Sequence, residues 1–261
     1  HLADNYDVAL LNSKNAWRIL GQESYAFEVA QWYDWDLSGV CVFVPIGNAG
    51  NITAIMSGFL KLVELGVIAK PPRIFGVQTS HADPVWRYYQ KPAAERSFSP
   101  VKVRPSVAQA AMIGDPVSFP RVRHFAEKME QAYGAGAFQV VQVSEQETIE
   151  GMLLANRHGH ISCTQGGECM AGLIKARELG LIDTDETAVL DATAHMLKFI
   201  GFQDMYFENT FPPEFEITPD PALSNRPESV ISDAEKAALS PEAFTVKAAQ
   251  NIVARLGLAK K

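Results

Sequence analysis

Short apolar runs alternate with amphipathic segments along most of the chain. Val40–Ile46 is apolar apart from its proline, a pattern typical of a strand buried on both faces. Asn51–Leu65 repeats apolar residues at helical spacing. Further strands are predicted at Val8–Leu11, Arg73–Gln78, Phe138–Val143 and Thr187–Leu190. Further helices are predicted at Glu23–Trp35, Ser106–Ile113, Pro120–Tyr133, Gly166–Leu179 and Pro241–Leu256, and after a Ser144–Glu147 capping box.

This alternation predicts an α/β protein with an open, mostly parallel sheet flanked by helices. The proline-containing stretch 81–105 is expected to be irregular, and the proline-rich stretch 209–232 is expected to wrap the surface. No repeat, low-complexity tract or internal linker interrupts the pattern. We therefore expect residues 16–261 to belong to one domain and residues 1–15 to be the end of another.

Composition narrows the class of protein. Of 261 residues, 47% are hydrophobic and 20% charged, which is typical of a soluble globular protein. The net charge is −7 and no basic block is present, which argues against a nucleic-acid partner. The longest apolar runs are far shorter than the roughly 20 residues of a membrane helix, so no membrane span is expected. Three cysteines, an odd number, favour a reducing, cytoplasmic compartment. The histidines show no zinc spacing, so no metal is expected.

The most informative motif is VFVPIGNAGNITA at residues 42–54. A buried strand leads through a Gly/Asn turn directly into a helix, and Gly47 and Gly50 permit unusual backbone conformations there. Free N–H groups at the helix start, together with the helix dipole, favour a bound phosphate. Asn48 and Asn51 can add side-chain donors. The same residues also suit an ordinary βα turn, and the motif alone leaves both interpretations open.

Two further segments carry candidate polar contacts. LNSKNAWRILGQES at residues 11–24 places Arg18 among Asn and Ser donors in a stretch that we expect to be non-helical. A polar loop with a surface arginine is the simpler interpretation, and an oxyanion site is the alternative. VLDATAHMLKF at residues 189–199 ends a strand at Thr193, where ligands of open α/β sheets bind. Thr193 and His195 can therefore face a ligand there, although for His195 we favour a structural role, as a helix cap or an otherwise hydrogen-bonded side chain.

Together these segments resemble threonine synthase, a pyridoxal-phosphate (PLP) enzyme of the tryptophan-synthase-β fold type (fold type II). GNAGNITA is similar to that family's cofactor-phosphate loop, and NSKNAWRILGQESYAFE to its NS-x-NP-x-R-x-EGQ-x-x-x-FE segment. SVAQAAMIGDPVS resembles its S-x-A-x-A-x-x-IG-x-PVS run, and DATAHMLK its TG-x-GLK turn. The resemblance covers roughly residues 5–200. It implies that residues 1–15 end the small domain and that residues 16–261 form the C-terminal part of the large PLP-binding domain.

The resemblance also implies an activity, the conversion of O-phospho-L-homoserine and water to L-threonine and phosphate. It implies these contacts to the PLP phosphate: Gly47, Asn48, Ala49, Gly50 and Asn51. Thr193 would hydrogen-bond the pyridine nitrogen, a neutral partner that suits this fold type. Asn12 and Arg18 would hold the substrate phosphate, with Ser13 and Asn15 nearby. Dimers are common among similar proteins, so a homodimer is one expected assembly.

Several positions depart from the family pattern. The SFKD motif that supplies the Schiff-base lysine is absent, so no catalytic residue is expected in this chain. Leu20 and Ala16 replace the usual Glu and Pro, and ISCTQGGE replaces a Pro-Ala-Ser type segment. Because the chain begins with His1 in mid-pattern, we expect a C-terminal portion that is inactive alone unless an N-terminal segment or second chain supplies the lysine.

Two other functions fit the same fold. One is another fold-type-II enzyme such as threonine dehydratase or cysteine synthase, although neither needs the phosphate contacts that Arg18 and Asn12 offer. The other is a catalytically empty fragment that binds PLP, a phosphorylated metabolite or only a partner chain. Phosphate release from phosphohomoserine distinguishes the first alternative, and formation of a Schiff base distinguishes the second.

Overall fold

Four parallel strands form an open sheet in the described part of the computed structural model. The strands are β1 (Val40–Pro45), β2 (Arg73–Thr79), β3 (Phe138–Val143) and β4 (Thr187–Leu190). Their order across the sheet is β3-β2-β1-β4, and every pairing is parallel. The structure describes residues 2–224, 227 and 229–259. The predicted fold class, an open parallel sheet flanked by helices, is confirmed.

Helices precede, connect and follow the strands. Up to the end of β2 they are α1 (Leu2–Asn5), α2 (Ala16–Gln22), α3 (Ser24–Trp32) and α4 (Gly50–Glu64). Between β2 and β4 they are α5 (Pro84–Tyr89), α6 (Phe119–Tyr133), α7 (Glu145–Arg157) and α8 (Thr164–Glu178). After β4 they are α9 (Ile200–Glu208), α10 (Asp233–Ala238) and α11 (Pro241–Leu256). The predicted capping box at the start of α7 is present: the Ser144 hydroxyl accepts from the Glu147 N–H while the Glu147 carboxylate accepts from the Ser144 N–H.

Alternate strand residues point to opposite faces of the sheet, and each face is covered. On one face, Val42 and Val44 belong to an apolar cluster shared with α3, α4 and α6. On the other, Cys41 and Phe43 pack with residues of α8, and Phe43 stacks on Phe75 with ring centroids 4.7 Å apart. This two-sided burial explains why β1 is apolar along its whole length.

The strand order reverses beside β1. The chain runs from β1 to β2 and β3, then crosses back through α7 and α8 to β4 on the other side of β1. The loops that leave β1 and β4 therefore diverge at the carboxyl edge of the sheet. A crevice at such a reversal is the usual ligand site of open α/β sheets.

The chain divides into two compact units between Pro219 and Asp220. The first unit contains the sheet. The second contains α10 and α11, and the Asn251 amide of α11 donates to the carbonyl of Val230, which precedes α10, at 2.6 Å. The assignment of residues 1–15 to a small domain and of 16–261 to a large one stays a prediction.

Four local predictions were wrong. The stretch 81–105, expected to be irregular, contains α5, because a proline suits the first turn of a helix and Pro84 lies there. Val8–Leu11 is not a strand; its residues are exposed and no described strand lies beside them to pair with. The stretch expected to be non-helical contains α2, because Asn15 caps a helix start that the motif does not reveal by periodicity. Only Gln109–Ala111 of the helix predicted after Ser106 is helical, and it is a single 3-10 turn.

No helix within the described ranges is both long and apolar enough to cross a bilayer.

Candidate functional site

A cavity of about 470 Å³ lies at the carboxyl ends of β1 and β4, where the strand order reverses. Nine of the ten predicted contact residues line it: Asn12, Ser13, Arg18, Gly47, Asn48, Ala49, Gly50, Asn51 and Thr193. The lining is completed by Gln22, Pro45, Ala110, Ala111, Gln165, Asp191, Ala194, Lys198 and Phe199. Segments that are far apart in sequence thus meet in one place, although this placement leaves the role of each residue a prediction.

The Gly47–Asn51 loop directs the start of a long helix at the cavity. Ala49 precedes α4 in the left-handed conformation, with φ 63° and ψ 11°, and no side chain caps the helix there. The first backbone N–H groups of the helix are therefore available to a ligand, and the positive end of the helix dipole lies among them. A left-handed alanine is a strained conformation of the kind that concentrates at functional sites. The geometry suits an anion.

At two glycines of this loop, close packing leaves little room for a side chain. A Cβ on Gly47 would lie 3.0 Å from both the Ala110 carbonyl oxygen and the Ala111 Cα. A Cβ on Gly50 would lie 2.9 Å from the Ile19 side chain and 3.1 Å from that of Ser13. Glycine therefore lets backbone approach backbone at one end of the cavity. A phosphate group cradled by main-chain N–H groups fits such a loop.

Asn51 is hydrogen-bonded to Asp191, a cavity residue that the sequence analysis did not single out. Its amide donates to the Asp191 carboxylate at 2.5 Å, so that donor hydrogen is not free for a ligand. Burial raises the pKa of Asp191 to about 6, and the hydrogen bond from Asn51 opposes this shift. The position of Asp191 directly after β4 was the available signal, since ligands collect at strand ends.

In the Asn12–Arg18 segment, some side chains hold the local structure and others remain available to a ligand. The Asn15 side chain accepts from the Trp17 N–H at 2.9 Å and donates to the Leu10 carbonyl at 2.8 Å. Asn15 therefore caps α2 and does not line the cavity, in contrast to its predicted place beside a substrate phosphate. Arg18 is exposed and its guanidinium donates to the Leu11 carbonyl at 3.4 Å. Within the described ranges it forms no salt bridge, so it can still bind an anion.

Thr193 and several of the residues that follow it also line the cavity. The Thr193 hydroxyl lies 3.9 Å from the Cys163 sulfur, which is at best a weak hydrogen bond. His195 accepts from the Leu197 N–H at 3.2 Å and caps a 3-10 turn, the role favoured from the sequence. Lys198 lines the cavity with its ammonium 5.5 Å from the centroid of the Phe199 ring. Sequence reasoning quoted Lys198 within a motif but gave it no role.

Two carboxyl groups lie buried between α7, α8 and the sheet. Neither oxygen of Glu168 has a hydrogen-bond partner among the described residues, and the residue is fully buried. Burial, reinforced by repulsion from Glu145, raises the pKa of Glu168 well above its usual range. The second carboxyl group, that of Glu145, does have hydrogen-bond partners. One of its oxygens accepts from the Ser106 hydroxyl and from the Val107 N–H. Burial therefore favours the protonated, neutral form of Glu168.

This arrangement predicts a pH-dependent loss of stability. Above the ordinary glutamate pKa of about 4.3 the unfolded chain releases a proton that native Glu168 retains, so stability falls as pH rises toward the native pKa. One such proton changes the unfolding free energy by up to about 1.4 kcal/mol per pH unit. Glu168→Gln should therefore be more stable than the wild type at pH 8 and nearly equal to it at pH 4.5. Urea unfolding at both pH values measures this difference.

Glu64→Gln is the matched control, because Glu64 is exposed at the end of α4. It should change stability by no more than about 0.5 kcal/mol at either pH. Equal stabilities of wild type and Glu168→Gln at both pH values would contradict a buried neutral Glu168.

No group of three or more His, Cys, Asp and Glu side chains able to hold a metal ion occurs in the described part of the chain. All three cysteines are free and buried.

Comparison with known proteins gives a consistent result. Residues 1–193 match the family model described as pyridoxal-phosphate dependent enzyme. Threonine synthase 2, chloroplastic, from Arabidopsis thaliana is 34% identical over 192 residues, which are 74% of this chain and 36% of that protein. Threonine synthase from Methanocaldococcus jannaschii is 35% identical over 198 residues, 76% of this chain and 46% of that protein.

A solved structure supports the fold. The crystal structure of threonine synthase from Escherichia coli superposes with a TM-score of 0.59 at 23% identity, covering 78% of this chain and 44% of that one. At this identity the similarity concerns the fold alone. The chain spans less than half the length of each of these three relatives.

Proposed function

Because the chain belongs to the family of pyridoxal-phosphate-dependent enzymes, we propose that it forms part of a threonine synthase. The reaction is the conversion of O-phospho-L-homoserine and water to L-threonine and phosphate. The observation that carries the proposal is the presence of two separate anion-binding groups in one cavity, the start of α4 and the guanidinium of Arg18. A phosphorylated cofactor needs one of them, and a phosphorylated substrate needs the other.

The residues at the start of α4 fit the cofactor. The N–H groups of the Gly47–Asn51 loop would hold its phosphate, and Thr193 would donate to its ring nitrogen. When bound, PLP supplies an electron sink that lets phosphate leave from Cγ and water add at Cβ of the substrate. Thr193 is a neutral hydroxyl, so it can hold the nitrogen by a hydrogen bond without giving it a full positive charge.

Arg18 and Asn12 would position the substrate phosphate at the mouth of the cavity. A guanidinium binds a phosphate through two parallel hydrogen bonds, which fixes orientation as well as adding charge. Ser13, which also lines the cavity, would add a hydroxyl near the substrate phosphate. Asn15 has no direct contact in this proposal, because it holds the start of α2 and thereby the position of Arg18.

The Schiff-base lysine is proposed to come from a polypeptide outside these 261 residues, since the sequence contains no SFKD motif. A homodimer and a cytoplasmic location stay predictions; one of the relatives is named as chloroplastic.

The experiment follows both products of the reaction. The protein is purified with any polypeptide that accompanies it and incubated with O-phospho-L-homoserine and PLP. We expect phosphate and threonine in equal amounts. In parallel incubations, we expect no 2-oxobutyrate from threonine and no cysteine from O-acetylserine and sulfide. Release of 2-oxobutyrate or cysteine without phosphate would instead favour the dehydratase or cysteine synthase alternative.

Borohydride reduction followed by peptide mapping locates the lysine, because it converts a PLP–lysine Schiff base into a stable amine. We expect the adduct on an accompanying polypeptide. An adduct on Lys198, which lines the cavity of this chain, would contradict the proposed source of the lysine.

A further inference from the structure

Gln165 is a buried polar side chain that lines the cavity without a protein partner. The residue is 3% exposed and lies in the first turn of α8. Within the described ranges neither its amide nitrogen nor its amide oxygen makes a hydrogen bond. Buried amides are almost always hydrogen-bonded, because an unmet donor or acceptor retains its desolvation cost. A side chain in this state beside a cavity points to a ligand that supplies the missing hydrogen bonds.

The first turn of α8 lies against the turn that carries Thr193. The Cys163 N–H donates to the Ala194 carbonyl at 3.3 Å, and Ser162 forms an antiparallel bridge with His195. A Cβ on Gly166 would lie 3.3 Å from the Ala192 Cα and 2.0 Å from the Ser162 hydroxyl oxygen. These contacts set Gln165 at the same end of the cavity as Thr193.

Thr193 and Gln165 are neutral, and the charged side chain beside the Thr193 turn, Lys198, is a cation, which cannot stabilise a pyridinium. Thr193 offers a hydroxyl whose protein contact is the distant Cys163 sulfur, and Gln165 offers an amide. The carboxyl group in the cavity, Asp191, already accepts from Asn51 on the side of the phosphate loop. An amide can donate to a ring nitrogen or to the hydroxyl that holds it, but it has no negative charge with which to stabilise a pyridinium.

We propose that Gln165 hydrogen-bonds at the ring-nitrogen end of the bound cofactor and, together with Thr193, holds that nitrogen unprotonated. Gln165 acts as a positioning residue, and its amide gains the partner that the protein does not supply. This inference rests on the proposed placement of the cofactor in the cavity. It does not depend on the identity of the substrate.

The test measures binding of pyridoxine 5′-phosphate, which cannot form a Schiff base and so needs no lysine. Gln165→Leu should weaken its binding about tenfold, the loss expected for one hydrogen bond. The 1-deaza analogue, which has a ring C–H in place of the nitrogen, should bind equally to wild type and Gln165→Leu. Gln131→Leu, an exposed substitution on α6, should leave binding of both probes unchanged.

Each other outcome overturns the inference in a recognisable way. An equal loss for both probes would mean that Gln165 acts through packing, and no loss for either would mean that it makes no contact. If the wild-type protein binds neither probe, the cofactor placement fails as well. Failure of phosphohomoserine turnover alone would leave the role of Gln165 intact.

A second variant keeps the test open if Gln165→Leu does not fold. Gln165→Glu preserves the size of the side chain and adds a carboxylate, which should favour a protonated ring nitrogen. The chemical shift of 15N in labelled pyridoxine 5′-phosphate reports this protonation directly. The shift should indicate an unprotonated nitrogen in the wild type and move toward the protonated value in Gln165→Glu; an unchanged shift would contradict the proposal.

Discussion

Replacing Arg18 by methionine is expected to weaken binding of O-phospho-L-homoserine about a hundredfold, close to 3 kcal/mol for a charged hydrogen-bonded pair. Arg18 lines the cavity and is exposed, and among the residues that the structure describes its guanidinium has one long hydrogen bond, to the Leu11 carbonyl. The phosphate would therefore be its main partner. Methionine keeps much of the side-chain length and removes the charge. Isothermal titration with the PLP-loaded protein measures the change.

The phosphate group itself provides the internal control. L-homoserine lacks the phosphate, so its affinity should change less than about threefold in Arg18→Met, on the principle that only the removed interaction is lost. Arg121→Met is the matched protein control, because Arg121 lies near α2 but outside this cavity and donates to the Ser118 hydroxyl at 3.4 Å. Equal losses for both ligands in Arg18→Met would show that Arg18 supports the fold and not the phosphate. Lys198 leaves a second cation in the cavity, so some preference for phosphate should remain.

Gly167→Val is expected to destabilise the protein by about 3 kcal/mol, the upper range for overpacking a buried site. A Cβ on Gly167 would lie 2.4 Å from the Thr148 carbonyl oxygen and 2.9 Å from the Met152 backbone nitrogen. Gly151 faces it from α7, where an added Cβ would lie 2.6 Å from the Gly167 carbonyl oxygen. The two helices thus touch backbone to backbone, and a larger residue must push them apart.

Thermal and urea unfolding measure this loss, which for a chain of this size corresponds to a fall in Tm of roughly 6–12 °C. Gly201→Val is the matched control, because Gly201 lies in α9 with no atom within 4 Å of an added Cβ. It should change stability by no more than about 0.5 kcal/mol. Similar effects of the two substitutions would mean that the loss does not come from the close contact between α7 and α8, since valine has a higher helix propensity than glycine.

Local patterns in the sequence were sufficient for most of the fold. The apolar run of β1, the helical spacing of α4 and the capping box of α7 are each encoded within a few residues, so they were predictable without knowledge of the rest. The error at Val8–Leu11 has the same origin. An apolar run has strand-like periodicity whether or not a neighbouring strand is there to pair with it.

The candidate site was predictable only in part. The Gly47–Asn51 loop is contiguous, so its chemistry could be inferred from one motif. The pairing of Asn51 with Asp191 joins residues 140 positions apart, and no local pattern indicates it. The same holds for Gln165, whose importance comes from burial without a partner beside the Thr193 turn. Asn15 shows the reverse case, in which a residue of suitable chemistry is already used as a helix cap.

The sequence by itself determined the α/β class, the order of its main strands and helices, and a helix start suited to a phosphate. These follow from side-chain periodicity and from the turn chemistry of Gly and Asn, which act over one or two turns of chain. Only the tertiary structure decided which distant groups share a cavity. That depends on the crossover that places β4 beside β1, and on which buried polar groups the fold leaves unpaired. The crossover and the unpaired polar groups both depend on how distant segments pack, so no single segment of the sequence predicts them.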